Sequence, residues 1–340
     1  MTAGSDWTAD YRALTYHGGA LEVARRLAPD APEPWIDLST GINPHTYPLP
    51  DLEPQAWSRL PEREALAKLE AAAARRYGVA AESVVAGPGS QALIHALSRI
   101  LPRGAVGALA PTYGGFAAAF AAAGAQLLEA RRLEDMDDLA VAIVVNPNNP
   151  DGRLVPRADL LALHERLARS GAVLVTDEAF ADFDGRRETL APALPANGVV
   201  VLRSFGKTYG LAGLRLGFAL ASRDIVPPLR AALGPWPVSG PAIAIGIRAL
   251  ADSDWLEATR ARLGKETARL DAFLLQADCR IIGGTQLFRL AVHEEARAVF
   301  ERLLAAGILV RPFADEPPWL RFGIPGDEKA WERLATALRD

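Results

Sequence analysis

Lys207 is the residue whose surroundings fit chemistry best. The 340-residue chain contains four lysines, and three of them, Lys68, Lys265 and Lys329, stand in ordinary charged helical patterns. Lys207 instead follows the run Val199-Val-Val-Leu-Arg-Ser204, which reads as a buried strand, and its neighbours are Ser, Gly, Thr, Tyr and apolar residues. A lysine so placed either extends its amine to water or has that amine's pKa lowered by desolvation. The desolvated amine is a nucleophile that condenses with a carbonyl to form a Schiff base. On this stretch alone, extension to water is the better reading.

The ends of the other apolar runs change that balance. Ala86-Gly87-Pro88-Gly89-Ser90-Gln91 leads from a strand pattern into a helix. Glycines at such a junction leave backbone N–H groups free at a helix N-terminus, where an anion binds well. Pro111-Thr112-Tyr113 places an aromatic after the next strand, to offer a flat face or simply to cap the core. Asn146-Pro-Asn-Asn-Pro-Asp-Gly152 is a rigid turn that holds amides in fixed places, and Asn149 is the one suited to a phenolic oxygen or a carbonyl. Val173-Leu-Val-Thr-Asp177 ends a buried run in a carboxylate, which is costly unless a cation or metal pairs with it. Strand geometry points Asp177 and Glu178 in opposite directions. No histidine is spaced with them as a ligand, so a divalent metal is not expected. Amine, carboxylate, amide, aromatic face and anion turn, with Ser204 and Arg215 near the lysine, are the groups that pyridoxal phosphate requires.

The elements that must position these groups alternate. Strands are expected near Val84, at 105–110, 126–130, 140–145, 172–176, 199–202 and 216–221, with helices at 62–76, 90–101, 113–123 and 157–169 between them. That alternation predicts an α/β fold, a mostly parallel sheet of seven strands with helices on both faces. Residues 1 to about 43 read as irregular, with Pro29, Pro32 and Pro34 excluding a long helix. After Leu233-Gly-Pro-Trp-Pro237 the pattern becomes that of a smaller α+β module. Three parts are expected: an N-terminal segment, 1–43, that joins the small domain; a large domain, 44–235; and a small C-terminal domain, 236–340.

Composition narrows the function classes. Half the residues are hydrophobic and dispersed, and no run reaches the length of a membrane span. The N-terminal residues lack a basic stretch followed by an apolar one, so no export signal is read. A net charge of −4 offers no basic footprint for nucleic acid. The single cysteine, Cys279, excludes an intramolecular disulfide and suits a reducing cytoplasm.

In combination, Asn146-Pro-x-Asn-Pro-x-Gly152, Asp177-Glu-Ala, Ser204-x-x-Lys207 and Gly213-Leu-Arg-Leu-Gly217 resemble the fold-type I, aspartate-aminotransferase-like pyridoxal phosphate enzymes over almost the whole chain. The resemblance implies that Lys207 is the Schiff-base lysine, Asp177 the partner of the ring nitrogen, Asn149 the contact of the ring hydroxyl and Tyr113 the stacking ring. Gly89, Ser90, Gln91, Ser204 and Arg215 would surround the phosphate. Arg321, in Trp319-Leu-Arg-Phe-Gly323, would grip the substrate carboxylate, with further substrate contacts from His17, Ile42 and Arg311; Arg153 is another candidate for a substrate phosphate.

Two branches of the family compete, histidinol-phosphate aminotransferase and threonine-phosphate decarboxylase. Tyr16-His-Gly-Gly19, Asp37-Leu-Ser-Thr-Gly-Ile-Asn-Pro44, Asp177-Glu-Ala-Phe-Ala-Asp-Phe183 and Pro235-Trp-Pro-Val-Ser239 resemble the decarboxylase branch. Phe180 stands where the aminotransferases usually carry a tyrosine. Two other positions depart from the family: Leu60 replaces a tyrosine that normally reaches the neighbouring subunit's cofactor phosphate, and Asp151 replaces a threonine. The resemblance also implies a homodimer acting on a phosphorylated amino acid.

Overall fold

The computed structural model describes residues 7–339. Residues 1–6, part of the stretch in which no export signal is read, and residue 340 lie outside the described residues. The chain forms two compact units. One comprises Thr46–Asn149 and Arg153–Glu257; the other joins the chain up to His45, Pro150–Gly152 and the chain from Ala258 onward.

The larger unit is built on seven strands, β1 (Val84–Gly87), β2 (Val106–Leu109), β3 (Leu127–Ala130), β4 (Val141–Val145), β5 (Val173–Asp177), β6 (Val199–Ser204) and β7 (Gly217–Ala221). Their order across the sheet is β1-β7-β6-β5-β4-β2-β3. Only β7 runs against the rest, pairing antiparallel with both β1 and β6. The valine-rich runs follow from burial on both faces. Val144, Leu174 and Val201 enter one apolar cluster, while Ile143, Val175 and Val200 enter another, as the two-residue period of a strand requires.

The helix Arg63–Tyr77 ends at Gly78, whose φ of 69° is the left-handed conformation that closes a helix at least cost in glycine. Helix Gly240–Ala251 starts at Ser239, whose side chain accepts from the Ala242 N–H. Gly246 lets these two helices approach closely, since a Cβ there would lie 2.8 Å from a methyl of Leu69. This packing is why the expected change of domain near 235 differs from the structure. The helix 240–251 belongs to the larger unit, and the change falls inside helix Ser253–Gln276, between Glu257 and Ala258.

The smaller unit carries an antiparallel sheet in the order Arg311–Pro312, Trp319–Gly323, Phe288–Val292, Arg280–Thr285. Helices Ala296–Ala305 and Glu328–Arg339 supply Phe300, Leu303, Trp331 and Leu334 to its core. The N-terminal segment enters this unit, pairing Ile36–Asp37 in parallel with Ile308–Leu309. It is not irregular as expected: Trp7–Tyr16 and Leu21–Leu27 are helices. The prolines all lie beyond the second helix and so do not oppose either. Among the described residues no helix is long and apolar enough to cross a membrane.

Gly217 begins β7 where that strand passes the turn after β1, and a Cβ on it would lie 2.5 Å from the Ser90 nitrogen. Gly217→Ala is expected to cost about 1–3 kcal/mol through overpacking, read as a lower urea midpoint at unchanged slope.

Candidate active site

Six strands point their carboxyl ends to one edge of the large unit, and β7 brings its amino end to the same edge. In open α/β sheets that edge is where ligands bind. Register sets the level of each group. Val145, Asp177 and Leu202 are partners across β4, β5 and β6, and Ser204, Gly217 and Gly87 are partners across β6, β7 and β1.

Asp177 closes β5 with only 4% of its surface exposed. Its Oδ1 accepts the Ala179 N–H at 3.1 Å. Burial disfavours the charged form and pushes its pKa up to about 6, against the opposing effect of the nearby Lys207 cation. Lys207 lies in the short helix Phe205–Thr208 directly after β6, half-buried, with its Nζ 5.3 Å from the centre of the Phe180 ring. The Phe180 ring therefore offers the ammonium an electron-rich face.

The turn after β4 is held from several sides. The Asn146 side chain exchanges two hydrogen bonds with the Val155 backbone, at 2.8 and 3.0 Å. Asn148, fully buried, donates to Pro111 O at 2.7 Å and accepts from Thr112 Oγ1 at 2.8 Å, tying this turn to the one after β2. Asn149, 7% exposed, follows these anchored residues. Arg153 donates to the Ala110 and Leu109 carbonyls at 3.3 Å, which gives this candidate for a substrate phosphate a role inside the fold.

The anion turn after β1 is shaped by close approaches. Gly89 has a φ of 88°, and a Cβ there would lie 2.9 Å from the Arg215 guanidinium. Arg215 itself adopts a φ of 53°, uncommon for a residue with a side chain. The helix Ser90–Ile100 begins at this point on Gly89, which has no side chain to cap it, and a helix N-terminus of this kind suits an anion. Tyr113 Oη donates to Gln91 Oε1 at 2.9 Å, and a Cβ on Gly115 would strike the Tyr113 ring at 2.3 Å.

A buried ionic network lies beside these groups. Arg203, 5% exposed on β6, donates to Glu178 at 2.8 Å and to Asp182 at 2.7 Å, and its guanidinium sits 4.6 Å from the centre of the Tyr77 ring. Arg76 reaches Asp182 at 3.2 Å, and Thr208 Oγ1 donates to Asp182 at 2.8 Å. Residue-by-residue reading missed this network. The available signal was Arg203 itself, since a cation inside a valine-rich strand demands buried anions.

The remaining substrate candidates lie in the smaller unit. Arg321, 2% exposed, donates to Ser39 O and stands 5.1 Å from the centre of the Phe288 ring. Ser39 Oγ accepts the Gly19 N–H at 2.8 Å, and a Cβ on Gly18 would strike Ser39 O at 2.3 Å, so the segment after His17 packs against the residue that Arg321 grips. Arg311, 8% exposed, is the antiparallel partner of Arg321 on the next strand. Ile42 is half-buried further along the same N-terminal segment, and His17 is exposed.

Residues 33–338 match the family model of aminotransferase class I and II. The chain is 45% identical to a threonine-phosphate decarboxylase of Pseudomonas aeruginosa, covering 95% of this chain and 96% of that one. It is 42% identical to another from a Sinorhizobium species, covering 95% and 97%. A solved structure of histidinol-phosphate aminotransferase from Sinorhizobium meliloti in complex with pyridoxal-5'-phosphate superposes with a TM-score of 0.81, at 22% identity, over 99% of this chain and 98% of that one.

Because Asp177 keeps its proton to higher pH when folded, its contribution to stability is complete below the ordinary value of 3.8 and is lost as pH rises through about 6. Asp177→Asn removes that titration. The cofactor-free variant is therefore expected to gain on the cofactor-free wild type as pH rises from 4 to 7, by up to about 3 kcal/mol. Urea midpoints across this range measure it, and a pH-independent difference would contradict a titrating buried carboxyl.

Proposed function

The chain belongs to the aminotransferase class I and II family, and from that premise we propose that it decarboxylates L-threonine O-3-phosphate to (R)-1-amino-2-propanol O-2-phosphate for cobalamin synthesis. Its cofactor is pyridoxal 5'-phosphate. The observation that carries the substrate is the 45% and 42% identity to two threonine-phosphate decarboxylases over 95% of the chain. Shared Lys, Asp and Arg alone would fit any branch of the family.

The large unit suits the cofactor chemically. Gly89, Ser90 and Gln91 at a helix start, with Ser204 and Arg215, form a cradle for a phosphate dianion, and Gly89 has no Cβ to block the Arg215 guanidinium. Asp177, buried and reluctant to ionise alone, is stabilised by a cationic ring N–H. Asn149 serves the ring hydroxyl and Tyr113 the ring face. When bound, pyridoxal phosphate supplies an electron sink for charge developing at the substrate Cα. Asp177 sustains that sink by keeping the ring nitrogen protonated. Lys207 provides the amine that tethers the cofactor and afterwards delivers a proton to the Cα that carbon dioxide has left.

Substrate recognition falls to the smaller unit. Arg321 holds the carboxylate, Arg311 and His17 hold the phosphate, and Ile42 lines the substrate. Arg311 and Arg321 are directly opposed on neighbouring antiparallel strands, so both side chains leave the same face of the sheet, an arrangement that suits a substrate with two anionic groups. Phe180 lacks the hydroxyl through which the aminotransferase branch contacts its cofactor, which favours the decarboxylase reading. We read the enzyme as a cytoplasmic homodimer. Exposed Trp57, Leu60 and Trp236 support an apolar interface, and the single buried Cys279 suits a reducing compartment.

The deciding assay incubates the holoenzyme with L-threonine O-3-phosphate and follows carbon dioxide. Release without any 2-oxo acid is expected; turnover that requires a 2-oxo acid would establish the alternative, an aminotransferase for histidinol phosphate or a similar amino acid. Arg311→Ala is expected to lower kcat/KM for the phosphorylated substrate about a hundredfold, the scale of a charge-assisted hydrogen bond. Unphosphorylated threonine should lose far less, and equal losses on both would remove Arg311 from the phosphate site.

A further inference from the structure

The helix that carries Lys207 is too short to hold itself. Phe205–Thr208 has four residues, and its own pattern closes with the Tyr209 N–H to Phe205 O bond at 2.9 Å. One turn of helix is not stable in isolation, because nucleation fixes several dihedrals for one hydrogen bond. Where the lysine amine stands is therefore decided by bonds from outside the helix.

Asp182 supplies bonds on both flanks. Its Oδ2 accepts from Oγ1 of Thr208, the residue next to Lys207, at 2.8 Å. Its Oδ1 accepts from Arg203, four residues before Lys207, at 2.7 Å and from Arg76 at 3.2 Å. Asp182 is 3% exposed, Arg203 5% and Thr208 1%, so water does not compete for these bonds. Asp182 also lies five residues beyond Asp177 in the turn that presents Phe180, and Glu178 in that turn binds the other side of Arg203 at 2.8 Å. Two carboxylates and two guanidiniums thus lock the turn after β5 to the end of β6.

We propose that Asp182 is the positioning residue for Lys207: by gripping Thr208 and Arg203 together, it sets where the lysine amine stands relative to Asp177. The proposal rests on the pyridoxal phosphate reading of the site. Proton delivery to Cα depends on that placement, since a misplacement of about 1 Å can cost a hundredfold in rate. Charge matters as well. Against the lysine stand Asp177 at the end of β5 and the Phe180 ring from the turn after it, and the neighbouring ionic network adds Glu178 and Asp182 from that turn, Arg203 from β6, and Arg76 and Tyr77 from helix Arg63–Tyr77. Neutralising Asp182 leaves that cluster one positive charge richer and disfavours a protonated nitrogen at Lys207.

The test uses the holoenzyme with Thr208→Val, which removes at nearly constant volume the hydroxyl that donates to Asp182 at 2.8 Å and reaches Ser204 O at 3.4 Å, and Asp182→Asn, which removes the charge. Thr208→Val is expected to lower kcat about tenfold with KM within about twofold of wild type and little change in thermal midpoint. Asp182→Asn is expected to move the pH midpoint of the bound cofactor's visible absorption down by about one unit, and Asp182→Glu to restore it. Should Asp182→Asn not fold, Thr208→Val alone decides. A folded Thr208→Val enzyme with wild-type kcat and wild-type absorption midpoint overturns the positioning role. A wild-type protein that shows no visible band with added cofactor overturns the pyridoxal phosphate reading and this proposal with it.

Discussion

A carboxylate buried at the end of a central strand is the constraint around which the large unit is arranged. Asp177 sits between two other strands with almost no access to water. Burial works against its ionisation, so the surroundings must supply positive charge or leave it protonated. Lys207 stands close enough to oppose that shift, and the ring nitrogen of a pyridoxal phosphate would oppose it further. The parallel sheet makes this possible. It brings the ends of β5 and β6 to one level by register, without any help from sequence proximity.

The two ionic requirements of the site are met in separate layers. Asp177 and Lys207 carry the chemistry in the proposed reading, while Glu178, Arg203, Asp182 and Arg76 pair among themselves in the buried layer beside them. Strand alternation accounts for the division. Asp177 and its successor Glu178 point to different surroundings, one toward the ligand edge and the other into the ionic network. Charge pairs buried this deeply tie the turn after β5 to the end of β6, next to the short helix that carries Lys207. The anion turn follows a different logic, in which missing side chains matter most. Gly89 and Gly217 let backbone and Arg215 approach to distances that any Cβ would prevent.

Much of the large unit could be read from the chain because its strands are buried on both faces. Continuous apolar runs such as 141–145 and 199–202 fit strands covered on both faces, and their alternation with helical patterns points to a mostly parallel sheet. The N-terminal helices were harder to see. Trp7–Tyr16 and Leu21–Leu27 are short, and the prolines that follow draw attention to the irregular stretch rather than to what precedes it. The domain boundary was misplaced for a related reason: Pro235 and Pro237 mark a break in the chain, but packing of helix 240–251 on Leu69 decides which unit the following residues join.

By itself, the sequence determined the class of chemistry. One lysine out of place, one carboxylate after a buried run, a doubled Asn-Pro turn and a glycine-rich strand end are local features, and their residue types already state what each can do. The tertiary structure alone decided that Arg321 and Arg311 stand opposite each other and that Asp182 holds Thr208 and Arg203 at once. Those relations depend on strand register and on side chains that meet from distant parts of the chain. A linear pattern records periodicity along one element, whereas the pairing of charges across elements is fixed only when the sheet has formed.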